Sequence, residues 1–303
     1  GETLESRGIT DFQDVKRISA GLSLESSQGG SSSSIRIRGV GSQGFSSVDP
    51  SVGVIVDGLY QPRIGTVFTD LLDIERIEVL RGPQGTLFGK NTTAGAILVN
   101  TAAPSFEGMS GQVQAVGGNL GNTELRGTFN LPLIEDRLAI RLAGFYANRD
   151  GYMNNLFLGT ETRDVDRSGG RAKVLFTPSD SFEFLYTFDF SDTSYMADQG
   201  LTRYGTLDSS RAGALSGAPL EDVGIALGKP LPQIGPFTRQ VHQGEQFAND
   251  EVSRHILNIK WYLPGHTVTS ITGFEDVESF LPADNDGTFL DLVQITSSPK
   301  TET

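Results

Sequence analysis

The chain has no cysteine, so it can build no disulfide framework, no thiolate metal site and no cysteine nucleophile. That absence fits a secreted bacterial protein, as it fits many cytosolic ones. Its three histidines, His242, His255 and His266, are too scattered to suggest a metal site. No apolar stretch approaches the ~20 residues that a membrane-spanning helix needs. A crossing by this chain would be made of strands, since only helices and closed barrels satisfy every backbone group in lipid. There is no initiator Met and no signal peptide at Gly1, so the start reads as trimmed.

Positive charge is also scarce. Residues 1–104 hold 9 Lys+Arg against 11 Asp+Glu, and the remainder holds 15 against 26. With a net charge of −13 there is no basic stripe to neutralise phosphates, which argues against nucleic acid as a partner. The acidic surplus reads equally as a solvated surface or as a ligand-attracting one. What the chain does have is glycine, 37 residues of it, beside only 37% apolar content. That balance is low for a soluble α/β enzyme and comfortable for a membrane barrel with a polar interior.

After Pro104 the pattern is one of hairpins. Phe182, Phe184, Tyr186, Phe188 and Phe190 alternate with Glu183, Leu185, Thr187, Asp189 and Ser191. Glu124–Leu131, Leu138–Ala143 and Ile256–Leu263 alternate as clearly, and Gln112–Val116, Arg171–Thr177 and Thr267–Phe274 more weakly. Period two with one apolar face is the strand pattern. The spacing predicts roughly seven strands over residues 110–281. Pro132–Asp136, Pro178–Ser181 and Pro264–His266 read as tight turns, whereas Arg149–Arg167 and Asp192–Glu251 read as long loops. The first hairpin, through Gly117–Asn122, is the exception with a short outer loop. Short turns on one side and long loops on the other suit an outer-membrane barrel. A soluble sandwich also alternates. However, a strand face of consecutive aromatics suits lipid better than a sandwich core, and a structureless loop of about 60 residues does not suit a compact soluble domain.

The stretch Ile74–Thr101, beginning IERIEVLRGPQGTLFG, is the most informative in the chain. Ile77, Val79 and Leu80 suit a short strand, Arg81-Gly82-Pro83-Gln84-Gly85 forces a reversal, and Ile97-Leu98-Val99 is ready to pair. Together with IRIRGVG at Ile35–Gly41 and VGVIVDGLYQPR at Val52–Arg63, it closely resembles the plug domain of TonB-dependent outer-membrane receptors. Three motifs in the family's order, over about 65 residues, are far more specific than a lone short pattern. The resemblance implies an α+β plug domain followed by an antiparallel transmembrane β-barrel, with residues 1–104 as plug and 105–303 as the first part of the barrel. Plugged transporters have about 22 strands, so about 7 of about 22 strands would be present, and the odd count and the Pro-Lys-Thr-Glu-Thr ending read as an amino-terminal fragment.

Two other motifs mislead. Gly39-Val40-Gly41-Ser42-Gln43-Gly44 matches GxGxxG, with Asp57 18 residues after Gly39, where a dinucleotide-binding enzyme would place its ribose acid. Only seven residues, Pro50 among them, separate Gly44 from Val52, too few for a crossover helix. Gly89-Lys90 lacks the glycine and the hydroxyl of a phosphate loop, since Gln84 and Asn91 stand there. Thr10-Asp11-Phe12-Gln13 has capping-box form and predicts a short helix, and Ser26–Ser34 reads as a mobile connector.

The resemblance implies active transport of a scarce, bulky nutrient across the bacterial outer membrane, most often a ferric siderophore, with a saccharide or cobalamin as the alternative. The partners it implies are TonB, the inner-membrane energy-coupling complex, the cargo, and the lipid bilayer. It implies no enzymatic activity, no catalytic residue, no bound cofactor and no resident metal. Arg38 and Arg81 match plug arginines that the family pairs with barrel-wall glutamates, which would lie beyond Thr303. Guanidinium suits that task because its fork bonds carboxylates bidentately. Ligand contact in the family comes from plug apices and outer loops, which match Gln43, Phe45, Tyr60, Gln61 and Arg63 here. Phe45 and Tyr60 are equally suited to packing inside the lumen.

Overall fold

The computed structural model describes residues 12–27, 32–42, 49–62, 71–155, 159–196, 238–240, 247–284, 294–297 and 300–302. A turn of 3₁₀-helix, Phe12–Arg17, stands where the capping box predicted a helix, although Thr10 and Asp11 lie outside the described residues. A three-residue turn brings residues i and i+3 onto one face. Here those are Phe12 and Val15, which are fully buried.

Strand β1 (Leu22–Ser27) pairs antiparallel with β2 (Ser32–Ile37), which turns back into β3 (Val40–Ser42). The serine run expected to be a connector is therefore ladder for most of its length, with Glu25, Ser26 and Ser27 opposite Ser34, Ser33 and Ser32. Backbone hydrogen bonds make that ladder, and Leu22, Leu24, Ile35 and Ile37 anchor it in the core. Arg38 and Gly39, at φ 54° and 80°, form the two-residue turn into β3. As far as Ser42 the GxGxxG sequence is turn and strand, and Gln43 and Gly44 lie outside the described residues.

A second sheet holds β4 (Val52–Val56), β5 (Leu59–Gln61), β6 (Ile74–Arg81) and β7 (Gly95–Thr101) in the order β5-β4-β7-β6. The reversal predicted after Arg81 carries one short helix, α1 (Gly85–Phe88). β4 runs parallel to β7 and is buried along its whole length, which explains its unbroken apolar sequence. Val52, Val54, Val56, Ile97 and Val99 close one core with Phe12, Leu24, Ile35 and Ile37. Each such side chain contributes about 1.5–3 kcal/mol on burial.

The second body begins with β8 (Ser110–Gly117), β9 (Thr123–Ile134) and β10 (Leu138–Arg149). Then come the short β11 (Met153–Asn155) and β12 (Thr160–Thr162), followed by β13 (Val165–Ser179) and β14 (Phe182–Met196). The remaining strands are β15 (Thr238–Gln240), β16 (Phe247–Leu263), β17 (His266–Asp284), β18 (Gln294–Ser297) and β19 (Lys300–Glu302). The main sheet has nine strands, running β8-β9-β10-β13-β14-β16-β17-β18 with β19 also on β17. All of its pairs are antiparallel. The seven alternating segments are all strands within it. With 12 to 19 residues each, β9, β10, β13, β14, β16 and β17 exceed the ~9–11 that a tilted strand needs to cross a bilayer.

Both long loops are shorter than the sequence suggested. Arg149–Arg167 contains the β11–β12 hairpin, to which β15 adds in parallel. Asp192–Glu251 is trimmed from both ends, because β14 runs on to Met196 and β16 starts at Phe247. Residues 197–237 and 241–246 lie outside the described residues. One face of the sheet presents Leu125, Phe129, Leu142, Tyr146, Tyr186, Phe190, Leu257 and Trp261 as exposed apolar side chains. Trp261 stacks on Phe182 at 5.6 Å near the β16–β17 turn, as in an interfacial aromatic girdle.

Candidate functional site

The other face of that sheet meets the first body, and charged side chains concentrate there. The β4–β5 turn is built by Asp57 and Gly58, at φ 47° and 88°, a combination that favours Asp-Gly. The turn is rigid because the Asp57 amide donates to Val99 O at 3.0 Å. The Asp57 carboxylate accepts from the Thr101 amide at 2.8 Å and from the Thr101 hydroxyl. Its remaining partner comes from the wall: Lys173 Nζ of β13 lies 3.0 Å from Asp57 Oδ2 and also donates to Thr101 O at 3.1 Å. Burial alone would raise the Asp57 pKa, but Lys173 and the two Thr101 donors outweigh it and hold the carboxyl below its ordinary range.

The turn continues into the wall. A Cβ at Gly58 would lie 2.6 Å from Ile271 Cδ1, and one at Gly273 would lie 2.5 Å from Leu59, so the two bodies touch through glycines on both sides. Gln61 is 1% exposed, and its amide oxygen accepts from Arg254 Nη2 of β16 at 2.7 Å. A second tether precedes β6. Arg141 of β10 forks onto Asp73 at 2.6 and 2.7 Å, and Arg171 of β13 donates to Leu72 O at 2.6 Å. A third lies between the bodies, where Asn130 of β9 accepts from the Ser105 amide and donates to the carbonyls of Ser105 and Gly108.

The register of the wall orders these groups in two rows. In one, Arg171, Asp189, Arg254 and Glu275 stand opposite one another across β13, β14, β16 and β17, with alternating sign. Arg171 bonds Asp189, and Arg254 bonds Glu275 at 2.7 Å and approaches Asp189 at 3.6 Å. In the adjacent row, Arg141 stands opposite Lys173.

The expected site residues fall into three groups. Arg38 is exposed in the β2–β3 turn, and Arg81, also exposed, donates from Nη2 to Ala20 O at 2.9 Å within its own body. Tyr60 is half-buried and accepts from Asn91 Nδ2 at 2.9 Å; burial first, then the Asp49 charge, push its phenol above the ordinary value against the Asn91 bond. Gln61, expected at a ligand, faces the wall: its position on the buried edge of β5 points its amide at Arg254. Gln43, Phe45 and Arg63 lie outside the described residues. Among the described residues no group of three or more His, Asp or Glu side chains could hold a metal ion. Asp73, Arg141, Lys173 and Arg254 escaped the sequence reading, and Asp57 entered it only as a possible ribose acid. The one signal for Arg141, Lys173 and Arg254 was charge at inward positions of alternating strands; Asp57 and Asp73 lie between strands and had none.

Residues 1–96 match the family model of the TonB-dependent receptor plug domain. The chain carries a TonB-dependent receptor plug. It is 33% identical over 181 residues to the pesticin receptors of Yersinia enterocolitica and Yersinia pestis, a match covering 58% of this chain and 26% of each of theirs. Among solved structures, the ferric yersiniabactin uptake receptor FyuA from Yersinia pestis superposes with a TM-score of 0.77 at 21% identity, over 93% of this chain and 40% of that one. The ferric-catecholate import receptor Fiu from E. coli K12 gives 0.69 at 16% identity, over 99% and 42%. At these identities the structural likeness concerns the fold: a plug followed by antiparallel strands of the receptor type.

Proposed function

We propose that this chain is the plug and early barrel of an outer-membrane transporter that imports a ferric siderophore with energy supplied through TonB. The observation that carries the reading is a plug body seated by buried polar contacts on the inner face of a wall whose outer face is apolar. Such a body seals a lumen and has no purpose in a passive pore. The cargo class draws support from two structural neighbours whose names specify ferric yersiniabactin uptake and ferric-catecholate import. On this reading residues 1–104 are the plug and 105–303 the start of the barrel.

Tyr60, with Gln43, Phe45 and Arg63, which the family resemblance assigns to plug apices, would meet the chelate; an aromatic, an amide and a guanidinium suit catecholate, hydroxamate or carboxylate groups. Arg38 and Arg81 would pair with wall glutamates outside this chain. The test is radio-iron uptake from a siderophore panel in cells expressing the full-length receptor, with and without working TonB. TonB-dependent uptake of one chelate is the expected result. No uptake from any chelate would turn the cargo to a saccharide or cobalamin.

A further inference from the structure

We propose that Arg141 and Lys173 form a socket for two carboxylates, and that Asp73 and Asp57 seated in it hold the plug in the barrel. The wall register makes the case. Arg141 and Lys173 are directly opposed partners on β10 and β13, and both point inward. Like charges directly opposite each other destabilise a strand pair unless something neutralises them. The wall itself has little left to do so. Asp189 attracts Lys173 from the next row, but its carboxylate already serves Arg171 and Arg254, and Glu275 is bonded to Arg254.

The counter-charges come from the plug. Arg141 forks onto Asp73, and Lys173 reaches Asp57 and the Thr101 carbonyl. Burial makes these contacts decisive: Lys173 is 2% exposed, Asp73 7%, Asp57 12% and Arg141 20%. The charged row beside the socket neutralises itself within the wall, whereas among the described residues the carboxylates in contact with the socket are Asp73 and Asp57 of the plug. Its polarity is the reverse of the lock expected for Arg38 and Arg81: here the wall supplies the cations and the plug the acids. A barrel without its plug would therefore present two adjacent cations to its lumen.

The socket rests on the plugged-barrel reading and is independent of the cargo. Its test uses the full-length receptor with Asp57→Asn, Asp73→Asn and the pair combined. Heat-modifiable mobility on gels and surface abundance report the folded barrel. Sensitivity of the cells to a large glycopeptide antibiotic reports the seal, and the reversal potential of purified receptor in planar bilayers under a KCl gradient reports ion preference. The double variant is expected to keep a folded barrel, to sensitise cells at least about tenfold, and to conduct with preference for chloride. Adding Arg141→Met and Lys173→Met should keep the leak and abolish that preference, which a merely loosened plug would not do.

A folded double variant that seals like the parent, or leaks without anion preference, overturns the proposal. Each single variant retains one of the socket's two carboxylates and is expected to leak less than the double, so it reports even if the double fails to assemble: singles as tight as the parent also overturn the socket. None of these readouts needs a siderophore. A leak in a receptor that imports no chelate would leave the socket standing and remove the cargo reading; a sealed double variant in a receptor that imports one would do the reverse.

Discussion

Gln61 and Arg254, 193 positions apart in sequence, meet at 2.7 Å, amide oxygen to guanidinium, inside the junction of plug and wall. Arg254 also holds Glu275, so Gln61 completes the fork of a buried cation. Gln61→Ala leaves one of its donors without an acceptor and should destabilise the junction by about 1–3 kcal/mol. A spin label on exposed Thr93 should gain mobility in the full-length receptor, while ligand affinity stays at the parental value. A changed affinity with unchanged mobility would return Gln61 to the ligand.

The glycine contacts predict a paired effect. Gly273→Ala drives a methyl into Leu59, an overpacking expected to cost about 1–3 kcal/mol. Leu59→Ala should relieve much of it, and a double-mutant cycle on thermal unfolding of the plug would read the coupling. Additive effects would mean that the two residues do not press on each other.

Asp57 fixes the pH response of its tether. Its carboxyl is held below the ordinary value despite burial, because Lys173 and Thr101 favour the ionised form. A group depressed in the folded state contributes stability that is present above its unfolded pKa, about 3.9. That contribution is lost as pH falls through the folded pKa. Plug mobility should therefore be flat from neutrality to about pH 4 and rise only in stronger acid. In Asp57→Asn the acid phase should vanish. A rise centred near pH 6 would contradict the assignment.

Arg81 ties the end of β6 to Ala20 O. If it also meets a wall glutamate, Arg81→Ala in the full receptor should slow TonB-dependent uptake and mobilise the plug. Neither change would confine Arg81 to its bond with Ala20.

For the apex, a Tyr60→Ala, Arg63→Ala double variant should weaken cargo binding at least about tenfold, as expected when a contact aromatic and a cation are both removed. Titration of the purified receptor would measure it. Unchanged affinity would leave Tyr60 with its packing role beside Asn91.

Alternation made the seven long strands legible, because between Phe182 and Phe190 one face of the sheet is apolar and the other carries the polar side chains that meet the plug. It failed where that contrast ends. From Asp192 to Met196 and from Phe247 to Asp250 the ladder continues, with Ser194 bonded to Asn249, but the sequence no longer alternates cleanly. The Ser26–Ser34 run failed differently, since serine carries no apolar signal to reveal the backbone pairing of Ser26 and Ser27 with Ser33 and Ser32. The junction was the least legible part. Asp73 and Arg141 are 68 positions apart and look like ordinary surface charges; only the wall register and the fixed turn at Asp57 bring such groups together. Arginines inside recognisable motifs drew attention, while Asp73, Arg141, Lys173 and Arg254 sit outside those motifs and Asp57, inside one, was read only as a possible ribose acid.

The charged row also bears on how the barrel is built. A strand that joins its neighbour one residue out of step turns every side chain to the opposite face. On the transporter reading, that slip in β13 would carry both Arg171 and Lys173 to the lipid-facing side, at about 2–4 kcal/mol each near a bilayer midplane. The same slip in β16 would carry Arg254 there, and in β17 Glu275. Residues that serve the finished receptor as anchors would thus act earlier as proofreaders, rejecting misregistered strands while the sheet is still being laid down.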